Sequence, residues 1–190
     1  MTNRLLSLQI EANIFETYIS ISDKERNETI QKILSVGDCQ NRSTNVQAQV
    51  STTKIAHYIP EVSLAISEKI NECVNSLPEQ KNKNLQMCFV NMWSAVYKIG
   101  DFTYQHTHHP FAYSFVCFLK CDKDSAPLIF PGVQEQIVIE PEIDKLVVFP
   151  SYMLHYVPPQ QQGIERIVVA GNMWPKDFEL NYLDPELLTR

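Results

Sequence analysis

Residues 97–110 read YKIGDFTYQHTHHP and contain an H-x-H motif, formed by His106 and His108, that is followed directly by His109. Residues 102–108 are predicted to form a β-strand, in which successive side chains point to opposite faces. This alternation places Tyr104, His106 and His108 on one face. Two imidazoles at positions i and i+2 of a strand can converge on one metal ion. A pair of surface histidines near a turn is the alternative interpretation of this motif.

A further histidine follows another predicted strand. Residues 146–150 read LVVFP, which predicts a buried strand that ends in a turn, and residues 151–154 lead to His155. A jelly roll can deliver a third metal ligand from a distant part of the chain in this way. The alternative is a core-edge histidine that is hydrogen-bonded to the backbone. His109 is expected to point away from His106, because it falls on the opposite face of its strand.

The apolar stretch 166–172 begins with an arginine and ends with an asparagine. Strand alternation puts Arg166 and Asn172 on the same face. An arginine on an otherwise buried strand requires an anion, and its planar guanidinium matches a carboxylate with two parallel hydrogen bonds. A structural salt bridge to Glu165 or Asp144 is the alternative.

The order of the predicted elements indicates a mainly β (α+β) domain of the sandwich or jelly-roll type, with supporting helices at its N-terminal side. A capping-box pattern begins a helix near Ser22, and Pro60 begins a second helix with a buried stripe. We predict a single domain over residues 1–190, in which 1–84 form helical support and edge strands and 85–175 form the core. The predicted core strands are 86–98, 102–108, 113–120, 136–140, 144–149 and 164–172, and an edge strand is expected within 38–53.

The composition limits the classes of function. The chain has 190 residues and a net charge of −6, and its apolar runs are too short to cross a bilayer. The negative charge disfavours bulk nucleic-acid binding, which depends on Lys and Arg to neutralise phosphates. The N-terminus does not read as a signal peptide, and the five cysteines without a C-x-x-C motif fit reduced thiols. These features predict a soluble, cytoplasmic protein without a membrane partner.

The spacing of these motifs resembles the 2-oxoglutarate/Fe(II) oxygenase superfamily. The resemblance is greatest to a small bacterial and phage subfamily with the pattern H-T-H-P … S-G-V-Y-Y-L … F-P-S-x-x-x-H … E-R … N. It covers roughly residues 86–174. The matching segments are HTHHP at 106–110, SFVCFL at 114–119, FPS at 149–151 with His155, ER at 165–166, and Asn172.

This resemblance implies a double-stranded β-helix of the jelly-roll or cupin-like type that holds Fe(II) between two sheets. The metal ligands and catalytic residues would be His106, His108 and His155. The co-substrate 2-oxoglutarate would chelate the iron and pair its far carboxylate with Arg166. Tyr97 and Asn172 would line the co-substrate pocket. Oxidation with O2 would convert 2-oxoglutarate to succinate and hydroxylate an unidentified small molecule or protein side chain.

The sequence departs from the superfamily pattern at three positions. His108 occupies the position where the superfamily usually has Asp or Glu, so the metal would lose a compensating negative charge. Asp101 is the nearest carboxylate in sequence, but it precedes the strand and is a poor substitute. Phe118 and Val168 replace a tyrosine and a serine whose hydroxyls bind the co-substrate in many relatives.

Two other functions compete with this interpretation. One is a three-histidine cupin dioxygenase that does not use 2-oxoglutarate. The segment from Gly100 to His108 fits a cupin first motif, but the glutamate that should follow is missing and Arg166 would have no role. The other is a non-catalytic jelly-roll protein used for binding or structure. An exposed sheet edge could also pair two copies into a homodimer.

Overall fold

The computed structural model describes residues 12–36, 45–80, 84–132 and 135–176. The helices are α1 (Asp23–Val36) and α2 (Pro60–Ser76), and the short 3₁₀ segments are Ile55–His57 and Pro78–Gln80. The strands are β1 (Phe15–Tyr18), β2 (Val46–Gln47), β3 (Gln49–Val50), β4 (Met87–Tyr97), β5 (Phe102–His106), β6 (Tyr113–Lys120), β7 (Leu128–Phe130), β8 (Ile137–Ile139), β9 (Lys145–Pro150), β10 (His155–Val157) and β11 (Arg166–Pro175).

Two antiparallel sheets form the body of the protein. The larger sheet has six strands in the order β1-β9-β6-β11-β4-β3, and the smaller has five in the order β2-β5-β10-β7-β8. Their facing sides share one apolar cluster, which joins Phe118 and Val168 of the larger sheet to Leu128 and Val157 of the smaller sheet. The predicted mainly β fold of the double-stranded β-helix type is therefore confirmed.

The outer face of the larger sheet packs against the helices. Ile167 and Val169 of β11 share a buried cluster with Val62, Ile66 and Ile70 of α2. Burying an aliphatic side chain of this size contributes about 1.5–3 kcal/mol, so the apolar stripe of α2 holds that helix on the sheet. The two clusters lie on opposite sides of β11, because its side chains alternate between faces.

The N-terminus of α1 has the predicted capping box. The Glu25 backbone N–H donates to Ser22 Oγ at 3.2 Å, and the Ser22 backbone N–H donates to a Glu25 carboxylate oxygen at 2.7 Å. The two residues thus satisfy each other's backbone donors at the end of the helix. Within the described residues, no helix is long and apolar enough to cross a membrane.

The structure differs from the predicted elements mainly where strands are very short. β1, β7 and β10 were not predicted, because three or four residues are too few to show a two-residue period. The part of the predicted edge segment that is described forms β2 and β3, one at an edge of each sheet. Residues 38–44 lie outside the described residues. The single-domain boundaries, the homodimer and the cytoplasmic location stay predictions.

An ion pair between Arg26 and Asp144 connects α1 to the turn before β9. Arg26 Nε donates to Asp144 Oδ1 at 2.9 Å, and Arg26 Nη2 donates to Asp144 Oδ2 at 2.8 Å. Both side chains are mostly buried, with 14% and 17% exposed. The hydrogen bond that Arg26 donates to Asp144 raises the pKa of Arg26. Asp144, the alternative salt-bridge partner for Arg166, is therefore already paired with Arg26.

Replacing Arg26 with Ala should lower the free energy of unfolding by about 1–3 kcal/mol, because Asp144 loses two charge-assisted hydrogen bonds. Urea denaturation followed by circular dichroism measures this change. Lys24→Ala on the same helix is the matched control, since Lys24 lies 3.9 Å from Glu28 on an exposed surface and should contribute no measurable stability. Equal stability of the two variants would contradict the structural role of the Arg26 pair.

Candidate metal centre

Three histidine side chains converge at one end of the space between the sheets. His155 on β10 lies directly opposite His106 on β5 in an antiparallel pair. The ring centroids of His106 and His155 are 4.3 Å apart, and those of His108 lie 4.8 Å from His106 and 5.0 Å from His155. One nitrogen atom from each ring lies within 4.8 Å of the others, an arrangement that can hold a metal ion.

A β-bulge in β5 directs His106 into this space. Thr103 pairs with Val157 and His106 pairs with His155, so β5 uses one more residue than β10 between the two pairs. A bulge of this kind re-aims a side chain. Thr103 is consequently buried, whereas Tyr104 is 58% exposed. The predicted common face of Tyr104 with the histidines was therefore wrong, because regular alternation cannot anticipate the extra residue.

His108 reaches the centre from a loop rather than from a strand. The strand predicted over 102–108 ends at His106. The backbone N–H of His108 donates to the carbonyl of Ser151 at 2.8 Å, and its ring lies 5.6 Å from that of Trp93. His109 is exposed and does not join the cluster, in agreement with its predicted direction.

Backbone carbonyls fix the tautomers of two of the histidines. His106 Nδ1 lies 2.7 Å from the Tyr104 carbonyl oxygen, and His155 Nδ1 lies 3.0 Å from the Met153 carbonyl oxygen. A carbonyl oxygen can only accept, so each Nδ1 carries the proton and each Nε2 keeps its lone pair. An Nδ1–H···O=C bond of this kind is a common support for a metal-binding histidine.

Burial keeps these histidines in the neutral form that binds metals. Burial and, to a smaller extent, the neighbouring His106 lower the pKa of His155 to about 4. Burial together with the other two imidazoles also places the pKa of His108 well below its usual value, and burial lowers the pKa of His106. All three side chains are thus neutral donors near pH 7.

The donor set contains no carboxylate among the described residues. Asp101 lies in the turn between β4 and β5, where its carboxylate accepts a hydrogen bond of 2.8 Å from the Lys98 backbone N–H. It does not belong to the histidine cluster. Three neutral imidazoles suit Fe(II), Zn(II), Cu(II) and Ni(II) better than Mg(II), Ca(II) or Mn(II), which prefer oxygen ligands.

Arg166 is a buried cation on the inner face of the larger sheet. Only 1% of its surface is exposed, and its Nε and Nη1 atoms have no hydrogen-bond partner. Its guanidinium carbon lies 4.6 Å from the centre of the Tyr97 ring and 4.9 Å from that of Phe118. Aromatic rings alone do not replace the hydration that an ion loses on burial.

The protein supplies no counter-ion to Arg166 among the described residues. Both carboxylates that were considered as salt-bridge partners are engaged elsewhere: Glu165 pairs with Lys120 at 3.4 Å, and Asp144 pairs with Arg26. Burial raises the pKa of the nearby Cys121 thiol to about 11, so this side chain is uncharged at neutral pH. Leaving a buried charge unpaired costs several kcal/mol. The arrangement is therefore suited to the binding of an anion.

Both polar atoms of the Asn172 side chain take part in a buried hydrogen-bond network. Its amide nitrogen donates to Asn91 Oδ1 at 2.8 Å, and its amide oxygen accepts from Ser114 Oγ at 2.8 Å. Ser114 and Ser151 hydroxyls are 2.7 Å apart. Because Ser114 already donates to Asn172, Ser151 donates to Ser114. The network holds the Ser151 turn, whose carbonyl accepts the His108 N–H.

Tyr97 and Thr103 are two further buried polar residues, and their side chains contact each other. The Tyr97 hydroxyl lies 2.6 Å from the Thr103 hydroxyl, and both residues are buried. Tyr97 was predicted to line a co-substrate pocket, and it lies beside Arg166. The roles predicted for Tyr97 and Asn172 in co-substrate binding stay predictions. Sequence reasoning did not identify Thr103, because the bulge that turns it inward leaves no signal in the residue pattern.

No protein-family profile matches the sequence, and no curated protein matches it. Solved structures do resemble it. The viral collagen prolyl hydroxylase of Paramecium bursaria Chlorella virus-1, in complex with 2-oxoglutarate, has a TM-score of 0.65 and 18% identity over 84% of this chain and 94% of that chain. An oxidoreductase of the 2OG-Fe(II) oxygenase family from Burkholderia pseudomallei has a TM-score of 0.64 and 10% identity over 86% and 84%.

A further neighbour is HygX from Streptomyces hygroscopicus, whose structure contains nickel, 2-oxoglutarate and hygromycin B. It has a TM-score of 0.65 and 8% identity, and it covers 88% of this chain and 84% of its own. At these identities the likeness establishes a common fold. The fold implied by the sequence resemblance is thus the fold that the solved structures share.

Replacing His106 or His155 with Ala should abolish stoichiometric binding of Fe(II), because each variant removes a buried neutral nitrogen donor. His109→Ala should bind with wild-type affinity and serves as the matched control. His108→Ala is expected to weaken binding by more than about a hundredfold. Removing a residue that only hydrogen-bonds to a metal ligand costs up to about a hundredfold in metal affinity, and removing the ligand itself should cost more. Anaerobic titration followed by metal analysis measures these affinities. Full retention of iron by the His108 variant would exclude its imidazole as a ligand.

Proposed function

We propose that this chain is an Fe(II)- and 2-oxoglutarate-dependent oxygenase that hydroxylates a peptide side chain or a small molecule. The observation that carries the proposal is the presence of two complementary features between the same two sheets. One is a cluster of three neutral imidazoles, and the other is a buried arginine whose Nε and Nη1 atoms lack partners. In a dicarboxylate with a 2-oxo group, the 2-oxo acid end can bind the metal ion and the far carboxylate can pair with the arginine.

The residues present fit such a metal and co-substrate. His106, His108 and His155 would hold the metal ion. The backbone carbonyls of Tyr104 and Met153 would keep the rings of His106 and His155 oriented. When bound, Fe(II) with 2-oxoglutarate supplies an oxidation by O2 in which 2-oxoglutarate becomes succinate and carbon dioxide and the substrate gains a hydroxyl group. The protein would contribute the binding and orientation of these groups.

Arg166 would bind the far carboxylate of 2-oxoglutarate. Its Nε and Nη1 atoms have no other partner, so an edge of the guanidinium would donate charge-assisted hydrogen bonds to the carboxylate, and the Tyr97 and Phe118 rings hold the guanidinium in place. The anion would replace the hydration that burial removes, so co-substrate binding relieves the cost of the buried charge. This selects a dicarboxylate over a monocarboxylate.

Among the described residues the ligand set contains no carboxylate, which distinguishes this site from the usual superfamily site. His108 leaves the bound metal with one more positive charge than an Asp or Glu at that position would. A three-histidine centre is also compatible with a cupin-type dioxygenase that needs no 2-oxoglutarate. Arg166 favours the 2-oxoglutarate-dependent function, because the cupin alternative gives no role to a buried guanidinium. The common fold with structures that contain 2-oxoglutarate supports the same choice.

The purified protein should bind one Fe(II) per chain and slowly convert 2-oxoglutarate to succinate under reducing, aerobic conditions without added substrate. Metal analysis and chromatographic detection of succinate measure the two quantities. His155→Ala is the control for turnover by free iron. Stoichiometric iron without succinate would favour the cupin-type function, and the absence of metal after reconstitution with excess Fe(II) would favour a non-catalytic protein.

Arg166→Ala should weaken 2-oxoglutarate binding by about a hundredfold or more. Each lost charge-assisted hydrogen bond typically costs about 1.5–3 kcal/mol, and tenfold in affinity corresponds to about 1.4 kcal/mol. Arg166→Lys should be intermediate, because an ammonium keeps the charge but lacks the planar fork. Iron affinity, measured anaerobically without co-substrate, should stay close to wild type. Unchanged 2-oxoglutarate affinity in a folded Arg166→Ala variant would contradict the assignment.

A further inference from the structure

The structure contains a pair of buried hydroxyls beside the Arg166 guanidinium. Tyr97 on β4 is the direct register partner of Arg166 on β11, and its ring lies 4.6 Å from the guanidinium carbon. The Tyr97 hydroxyl is 2.6 Å from the Thr103 hydroxyl on β5. This contact bridges the larger and the smaller sheet. Tyr97 is 4% exposed and Thr103 is 5% exposed, so neither hydroxyl depends on bulk water for its partner.

Hydroxyl chemistry leaves one proton of this pair available. Each hydroxyl has one O–H to donate, and either atom can be the donor in the contact between them. Once one donates to the other, a single O–H remains without an assigned acceptor. The guanidinium of Arg166 can only donate, so it cannot accept that proton. An anion bound by Arg166 can.

The Tyr97–Thr103 hydroxyl pair matters for an anion bound by Arg166, because two neighbouring positions lack hydroxyl groups. The family resemblance implies co-substrate-binding hydroxyls at two positions that are Phe118 and Val168 in this chain. These two residues are register partners on β6 and β11, and both are buried and apolar. The Tyr97–Thr103 pair thus lies where a carboxylate on Arg166 would otherwise meet only rings and methyl groups.

We propose that Thr103 is a positioning residue for the co-substrate carboxylate. Thr103 donates to the Tyr97 oxygen, and Tyr97 donates to the carboxylate that Arg166 binds, so the pair replaces the hydroxyls absent at positions 118 and 168. Hydrogen bonds in such a chain polarise one another, which strengthens the terminal donor. The β5 bulge makes the arrangement possible, because it turns both Thr103 and His106 inward. This inference rests on the proposed binding of 2-oxoglutarate by Arg166.

The test compares the affinity for 2-oxoglutarate of Ni(II)-loaded variants by isothermal titration calorimetry. Thr103→Val keeps the shape of the side chain and removes its hydroxyl, and it should weaken binding about threefold to tenfold, the effect of one net hydrogen bond. Thr103→Ser keeps the hydroxyl and should bind within about twofold of wild type. Thr29→Val is the matched control, since Thr29 is equally buried but lies on α1. Ni(II) affinity and melting temperature should be unchanged in all three variants.

A second comparison tests whether Thr103 acts through Tyr97. Tyr97→Phe should weaken 2-oxoglutarate binding about tenfold, and adding Thr103→Val to it should cause no further loss, because the acceptor of the Thr103 proton is already gone. An additional loss in the double variant would overturn the proposed relay. So would wild-type affinity in Thr103→Val, or a parallel loss of Ni(II) affinity. If the wild-type protein binds no 2-oxoglutarate, the proposed function fails and the inference fails with it.

Discussion

The antiparallel pairing of β5 with β10 is the constraint on which the candidate site depends. It puts His106 opposite His155, although the two residues are far apart in sequence, and its bulge turns Thr103 and His106 to the same inner face. Without the extra residue in β5, either the metal cluster or the contact with Tyr97 would face solvent. The loop that carries His108 is then held by Ser151, which lies in the buried Ser114–Asn172 network.

A second constraint comes from charge. The interior between the sheets contains a buried guanidinium that lacks a described counter-ion, and a cluster of imidazoles that burial keeps neutral. The buried guanidinium is unfavourable without an anion, and the neutral imidazoles have lone pairs that can bind a metal ion. Under the proposed function, one dicarboxylate would contact both features, so the site would select its ligand with few polar side chains.

The sequence predicted the parts of this site that follow from regular patterns. The capping box and apolar stripe predicted the two helices, and strand alternation predicted the inner position of Arg166. The H-x-H motif and the strand before His155 predicted the histidine cluster. The bulge could not be predicted, because one extra residue in a strand leaves no compositional trace. Tyr104 was consequently placed on the wrong face, and Thr103 was not identified. The engagement of Asn172 by Asn91 and Ser114 depends on contacts across three strands, which no local pattern records.

A crystal structure of the protein with Ni(II) and 2-oxoglutarate tests the central claim most directly. We expect a metal ion bonded to nitrogen atoms of His106, His108 and His155, with the far carboxylate of 2-oxoglutarate hydrogen-bonded to the guanidinium of Arg166. A metal ion bound elsewhere would contradict the account. A structure in which Arg166 pairs with a carboxylate of the protein while 2-oxoglutarate lies away from it would contradict it equally.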